Sequence, residues 1–434
     1  MLDLLDLKTD LQTEPAKTDV LKDGLSLYLH IPFCQTRCSY CDFNTYTNLS
    51  HLYGRYTGAL RREIERTLAA VQRGDYNPLA PLPLLARPET NVGKGPKIPL
   101  NTIFFGGGTP SLLPSPELAR IFQAIQNWAE IGPQTEVTLE ANPGTLSLIK
   151  LQDLRKLGIN RLSFGVQAFD DAMLRGLGRT HDSAGAVRAV ELAREAGFDN
   201  LNLDFIYGLP DQTLETWRKT LEKALELAPE HLSLYALTVE ENTAMGRSVK
   251  SGKTVLPDED LAADMYLLAL EMLDAAGYVQ YEISNWARGD SDKLACRHNL
   301  VYWRTQPYVG FGPGAHSYFG GWRYPVLRDP QQYITNLRQG QSVIITEEAE
   351  QMNSGLQLAD TIILALRLNE GLDLARVERE FGRSLDDLFP GVVIRLMGYD
   401  LLEYFDGPNG EARLRLTVRG RLLSNEVFIR FLPD

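Results

Sequence analysis

The chain has 434 residues, 44% of them apolar, with 44 Lys and Arg against 56 Asp and Glu and a net charge of −12. That length and apolar content suit one large α/β domain with a smaller companion, and the acidic balance excludes a phosphate-backbone binder, so no nucleic-acid partner is expected. Four cysteines are too few for a disulfide framework, the first twenty residues show no secretory signal, and no run approaches the roughly 18–20 apolar residues of a membrane span, which together predict a cytoplasmic protein.

Residues 1–24 read as a polar N-terminal extension. From residue 25, β-rich apolar runs alternate with amphipathic helical stretches. The expected strands are LSLYLHIPF (25–33), NTIFFGG (101–107), EVTLEAN (136–142), RLSFGVQ (161–167), NLNLDFIY (200–207) and HLSLYALT (231–238). Helical patterns such as SPELARIFQAIQNWAE and SAGAVRAVELAREAG lie between them, and glycines in LRKLGIN and AREAGFDN stand where helix C-caps belong. Six βα repeats with near-continuous apolar strands predict a parallel sheet covered by helices over 25–240, either barrel-type or doubly wound. The Pro- and Gly-rich segment 72–99 fits neither period and reads as an inserted surface loop. A linking segment over 241–349 holds a helix at 258–276, short strands in YVQYEISNWA and an aromatic-rich run from 298. Residues 350–434 read as a small, mostly helical, winged-helix-like domain. Its hairpin carries acids as densely as bases, which favours packing or docking over DNA binding.

Three of the four cysteines fall in HIPFCQTRCSYCDF (30–43). Structural zinc takes four closed ligands, with His30 the one nearby residue able to complete a set, and free thiols are a further alternative. Three thiolates from Cys34, Cys38 and Cys41 instead suit an iron–sulfur cube with one iron left open to another ligand. The loop follows a strand, where the C-terminal face of a βα sheet binds ligands. Other polar or glycine positions fall at the same ends: GGGTP after strand two, Glu140, Gln167, Asp204 and, late in strand six, Ala236. Tyr40, just before the third cysteine, offers an aromatic face.

CxxxCxxC after a first strand resembles the radical SAM superfamily. The resemblance implies a partial (β/α)6 barrel, a 4Fe-4S cluster on Cys34, Cys38 and Cys41, and S-adenosylmethionine on the open iron. YLHIPFCQTRCSYCDF, FFGGGTPSLL, LEANPGT, FGVQAFDDAMLRGLGRTH and DFIYGLPDQT further resemble the branch that contains oxygen-independent coproporphyrinogen III dehydrogenase and the heme chaperones. Carried over, Tyr28, Gly107 and Glu140 contact one cofactor molecule. Positions matching Tyr40, Gly108, Thr109, Gln167, Arg179, Asp204 and Ala236 contact a second one in the dehydrogenase.

Two departures from the dehydrogenase pattern point to the chaperones. Phe43 stands where the dehydrogenase continues with a fourth thiol, and the N-terminal extension is short. CRHNLVYW (296–303) also resembles the HNxxYW signature of heme chaperones. His298 or Cys296 would ligate heme iron, with Asn299, Tyr302 and Trp303 around the macrocycle and Arg297 or Arg304 on propionates. The same residues also suit an aromatic packing cluster in which His298 is a hydrogen-bonded core residue. His316, in GFGPGAH, has no assigned role. The resemblance thus implies a heme chaperone that passes heme to an acceptor protein, membrane-associated or not, and draws on an electron donor for the cluster. The alternative is the dehydrogenase, which decarboxylates coproporphyrinogen propionates by radical chemistry.

Overall fold

In the computed structural model, which describes residues 20–80, 95–289 and 291–433, each of the six expected strands forms. They are β1 (Leu25–Ile31), β2 (Ile98–Gly107), β3 (Glu136–Ala141), β4 (Arg161–Gln167), β5 (Leu201–Tyr207) and β6 (His231–Ala236). Residues 1–19 of the expected extension and 81–94 of the expected insertion lie outside the described residues. Every strand pairs in parallel with its successor. Strand order therefore follows chain order without a reversal, which selects the barrel arrangement over a doubly wound sheet with its switch point.

The two faces of each strand differ in kind, as the two-residue period requires. Leu25, Leu27, Leu29 and Ile31 of β1 are buried in the main apolar core, as are Ile103, Phe105, Val137, Leu139, Leu162 and Phe164. That core includes residues of the covering helices α1 (Tyr53–Arg73), α2 (Ser115–Gln126), α3 (Leu148–Lys156), α4 (Ser183–Glu195) and α5 (Leu214–Glu226). The opposite, inner face carries Ser26, Thr102, Glu136, Arg161, Ser163, Asn202 and His231, all buried. A polar lumen is therefore set by the alternating pattern. The helices start where capping side chains stand: Ser147, Asp182 and Thr213 each accept a backbone N–H of the first turn, satisfying donors that a helix leaves open.

The sheet extends beyond the six strands and does not close. After α6 (Glu259–Ala275), β7 (Tyr278–Glu282) and β8 (Asn285–Arg288) add antiparallel to β6. A short helix, α7 (Arg297–Trp303), precedes β9 (Tyr308–Phe311), which pairs in parallel with the other side of β1. Then β10 (His316–Phe319), β11 (Trp322–Pro325) and β12 (Glu350–Gln351) continue antiparallel to that end. The result is an arc whose two ends are β12 and β7.

The C-terminal unit has a core of its own, with Ile362, Val377, Val393, Leu414 and Val427 at its centre. Its helices are α8 (Ser354–Arg367), α9 (Leu374–Phe381) and α10 (Val392–Gly398), followed by the hairpin β13 (Leu402–Asp406) and β14 (Ala412–Leu416). It rests on the β7 end of the sheet: Asn369 N donates to Tyr281 O at 2.9 Å, and Leu368 forms a bridge with Glu282.

Candidate cluster and cofactor site

Pro32 follows the last residue of β1, and the chain turns into the cysteine loop. The loop is pinned at several points. Cys34 N donates to Tyr46 O (2.9 Å), Ser39 N to Leu177 O (3.0 Å), and Met245 N to Ser39 O (2.8 Å). Cys34, Cys38 and Cys41 face a cavity of ≈ 560 Å³, within the range of about 300–1,000 Å³ usual for small-molecule sites. Tyr40, Gly107, Gly108, Thr109, Glu140, Gln167, Arg179, Asp204 and Ala236 line the same cavity. The Tyr28 side chain stands apart from it, its hydroxyl 3.0 Å from His30 Nδ1.

The thiols have donors aimed at them. Arg179 Nη1 donates to Cys38 Sγ at 3.4 Å and Thr109 Oγ1 to Cys34 Sγ at 3.6 Å. Arg179 is held by Asn142 Oδ1 (2.6 Å) and the Gly165 carbonyl, and Asn142 in turn donates to Thr109 Oγ1 at 3.2 Å. Asn142 was missed from the sequence; it is the residue after β3, the position at which its neighbours drew notice. Burial pushes the Cys34 and Cys41 thiols up, with Thr109 partly offsetting it at Cys34. Such an environment calls for a cation among the sulfurs to hold them as thiolates. The buried Thr45 hydroxyl, on the same cavity wall, is directed at the Cys34 and Cys41 thiols and lowers both, a further donor for sulfur charge. His30 does not complete a zinc set: its Nε2 lies 3.0 Å from Asn44 O while Nδ1 meets Tyr28. Three thiols with donors on their sulfurs fit an iron–sulfur cube.

At the cavity floor, burial and then the neighbouring Asp204 raise the Glu140 carboxyl to about 8, and burial raises Asp204 in spite of hydrogen bonds from Ser163 and Asn202. Glu140 accepts a hydrogen bond from the Gly107 backbone. Gly107 has φ +106°, and a Cβ there would meet the His30 ring at 2.7 Å. Its glycine requirement therefore arises from packing on His30 as much as from approach to a ligand. Gln167 ends β4 at φ 71°, a non-glycine residue in the left-handed region of the kind found at binding sites.

The CRHNLVYW segment forms α7, which enters the polar lumen. Glu136 accepts backbone N–H from Arg297 (2.9 Å) and His298 (3.0 Å), and the Cys296 thiol lies 3.7 Å from it. The His298 ring lies 2.6 Å from Thr102 Oγ1 through Nδ1 and 2.9 Å from Tyr302 hydroxyl through Nε2. It stacks on Phe104 (5.1 Å) and Tyr28 (6.4 Å). Burial holds its imidazole down at about 3 and pushes the Cys296 thiol up to about 12. Neither offers iron an open position in this conformation. Asn299 is half-buried on α7, and Trp303 is covered by the Arg367 guanidinium at 4.4 Å. Arg297 is bonded to the Gln134 carbonyl and Arg304 to both oxygens of Glu370.

Residues 28–224 match the model of the Radical SAM superfamily and 357–423 that of the HemN C-terminal domain. The heme chaperone HemW of Bacillus subtilis (strain 168) is 36% identical over 410 residues, covering 94% of this chain and 99% of its own. The chain belongs to the HemW family of radical SAM proteins. HemW of Escherichia coli (strain K12) is 40% identical over 294 residues, 68% of this chain and 70% of its own. The mitochondrial radical S-adenosyl methionine domain-containing protein 1 of Danio rerio is 34% identical over 379 residues, 83% and 78% of the two chains. The solved structure of coproporphyrinogen III oxidase (HemN) from Escherichia coli superposes with a TM-score of 0.77 at 24% identity, over 94% of this chain and 90% of that one. The HemW-family chain thus has the partial-barrel fold with its C-terminal domain. Its radical SAM domain implies a 4Fe-4S cluster and S-adenosylmethionine. No helix among the described residues is long and apolar enough to cross a membrane.

Proposed function

We propose that this protein is a heme chaperone of the cytoplasm, which binds heme, carries a SAM-ligated 4Fe-4S cluster and delivers heme to an acceptor protein. Cys34, Cys38 and Cys41 hold the cluster. Tyr28, Gly107 and Glu140 would contact one cofactor molecule, Gly107 and Glu140 from the cavity wall. Tyr40, Gly108, Thr109, Gln167, Arg179, Asp204 and Ala236 enclose the rest, and Arg179 and Thr109 stabilise sulfur charge by hydrogen bonding. S-adenosylmethionine, when bound, fills the open iron position and is a source of organic radicals. An electron donor that reduces the cluster completes the partners.

The observation that carries this reading over the dehydrogenase is Phe43. It lines the cavity, is 68% exposed, and offers no fourth thiol where the dehydrogenase pattern has one. The HemW relatives, alike over nearly the whole chain, support the same choice.

The experiment is an anaerobic comparison on one cluster-reconstituted preparation. Heme titration is expected to give saturable binding and transfer to an apo-hemoprotein acceptor. Coproporphyrinogen III with S-adenosylmethionine and a strong reductant is expected to give no protoporphyrinogen. Product accumulating over many turnovers would establish the dehydrogenase instead.

A further inference from the structure

A heme carrier needs an iron ligand, and histidine is the commonest. Of the six histidines, three have partners on both ring nitrogens, and a fourth, His181, has one on Nε2 while its Nδ1 is buried out of reach of a macrocycle. His30 and His298 are described above; His181 Nε2 lies 3.1 Å from Val166 O, and His231 meets Asn202 and Tyr281. All four are buried, whereas His51 and His316 are exposed. His51 lines a surface groove that contains no aromatic ring.

His316 stands in different surroundings. It opens β10 directly after GFGPGA, and its ring has no partner among the described residues. Tyr318, two residues on, shares its face of the sheet. Across the ladder Tyr318 is paired with Tyr308 on one side and Arg323 on the other, and such cross-strand partners lie on one face. The Tyr308 ring meets the Tyr302 ring of the HNLVYW helix at 4.7 Å. A half-buried aromatic strip therefore runs from His316 to that helix.

Cations flank the strip. Arg328, its side chain 64% exposed, makes one ion pair among the described residues, with Glu348 at 3.2 Å, which leaves most of its five donors for a carboxylate. Burial, then Arg328 and Arg323, hold the His316 imidazole below its ordinary range, so it stays in the neutral form that binds metal. The turn before it is fixed to the cysteine loop: Asn44 Nδ2 donates to Pro313 O (2.9 Å) and Arg328 O (3.0 Å), and Gly314, at φ +87°, leaves the Asn44 side chain the space a Cβ would take.

We infer that His316 is an axial ligand for heme, the macrocycle lying on the Tyr318–Tyr308 face with a propionate on Arg328. The site rests on the heme-carrier reading and supplies it with a seat that is open while α7 remains in the lumen.

The test is a set of heme titrations of the reconstituted protein, followed by Soret absorbance and by EPR of the ferric complex. His316→Ala is expected to weaken binding about tenfold or more and to change the axial-ligand signature. In His316→Gly, added imidazole is expected to restore that signature. His298→Gln, which preserves a hydrogen-bonding side chain at the buried position, is expected to bind within about twofold of the parent. Unchanged affinity and spectrum in His316→Ala would overturn the assignment. So would loss confined to His298→Gln, which would show that α7 opens to take the iron. A parent protein that takes up no heme would instead overturn the chaperone reading itself, and the site with it.

Discussion

Glu63 of α1 is an unaccompanied acid in an apolar core: 4% exposed, with Tyr333 hydroxyl (2.5 Å) and Gly312 N (2.9 Å) both donating to its Oε2. Burial raises its pKa to about 7 despite those two donors. Because the folded value lies above the ordinary one, the contribution to stability is complete below about pH 4.5 and is lost as pH rises through about 7. Glu63→Gln keeps an oxygen for both donors and removes the titration. It is expected to be more stable than the parent at pH 8 by on the order of 3 kcal/mol, the difference vanishing near pH 4, as read by urea midpoints at the two pH values. At the cysteine loop, each of Cys34→Ala, Cys38→Ala and Cys41→Ala is expected to abolish the broad visible absorption and acid-labile sulfide of the reconstituted cluster. Cys296→Ala, which removes the buried fourth thiol, is expected to retain both; an equal loss in that variant would break the three-ligand assignment.

At the scale of elements, α7 depends on a residue far from it in sequence. Glu136, first in β3, holds the helix through the N–H groups of Arg297 and His298. Glu136→Ala strips two charge-assisted bonds and is expected to cost about 2–3 kcal/mol, with faster amide hydrogen exchange over 297–303 and little change in the α2 helix as an internal control. Unaltered exchange across 297–303 would mean the aromatic stacking of His298 suffices. The six barrel strands were legible in sequence because parallel strands buried on one side by helices leave long apolar runs at regular spacing. Cysteines, glycines and carboxyls at strand ends were legible for the same reason, since each is placed by the end of a run. By contrast β9, four residues inside a Gly-, Pro- and aromatic-rich stretch, joins the barrel by pairing with β1, a contact across nearly three hundred residues that no local pattern encodes. The closure of His298 was hidden likewise, because Thr102, Glu136 and Phe104 reach it from other strands.

For the molecule as a whole, Arg367 joins the two cores. It stacks on Trp303 at 4.4 Å and reaches Glu282 Oε2 at 3.5 Å, a carboxyl with 0% of its side chain exposed. Arg367→Ala would leave that carboxyl buried without its cation. Allowing for the 25% exposure of the arginine, the expected cost is about 2–3 kcal/mol, with a change in Trp303 fluorescence. A thermal transition unchanged by the substitution would show that the C-terminal unit is held by its backbone contacts alone.

An arc of strands that never closes keeps its lumen reachable, yet it leaves two rows of backbone donors and acceptors at its ends, the usual template for runaway self-association. Here one end is β12, a pair of residues with Glu350 paired to Arg323, too short and too charged to seed another chain. At the other, Leu368 and Asn369 of the C-terminal unit occupy the rim of β7. The C-terminal unit thus blunts the longer free edge, so the sheet stays open to its lumen without offering that rim as a template to a second chain.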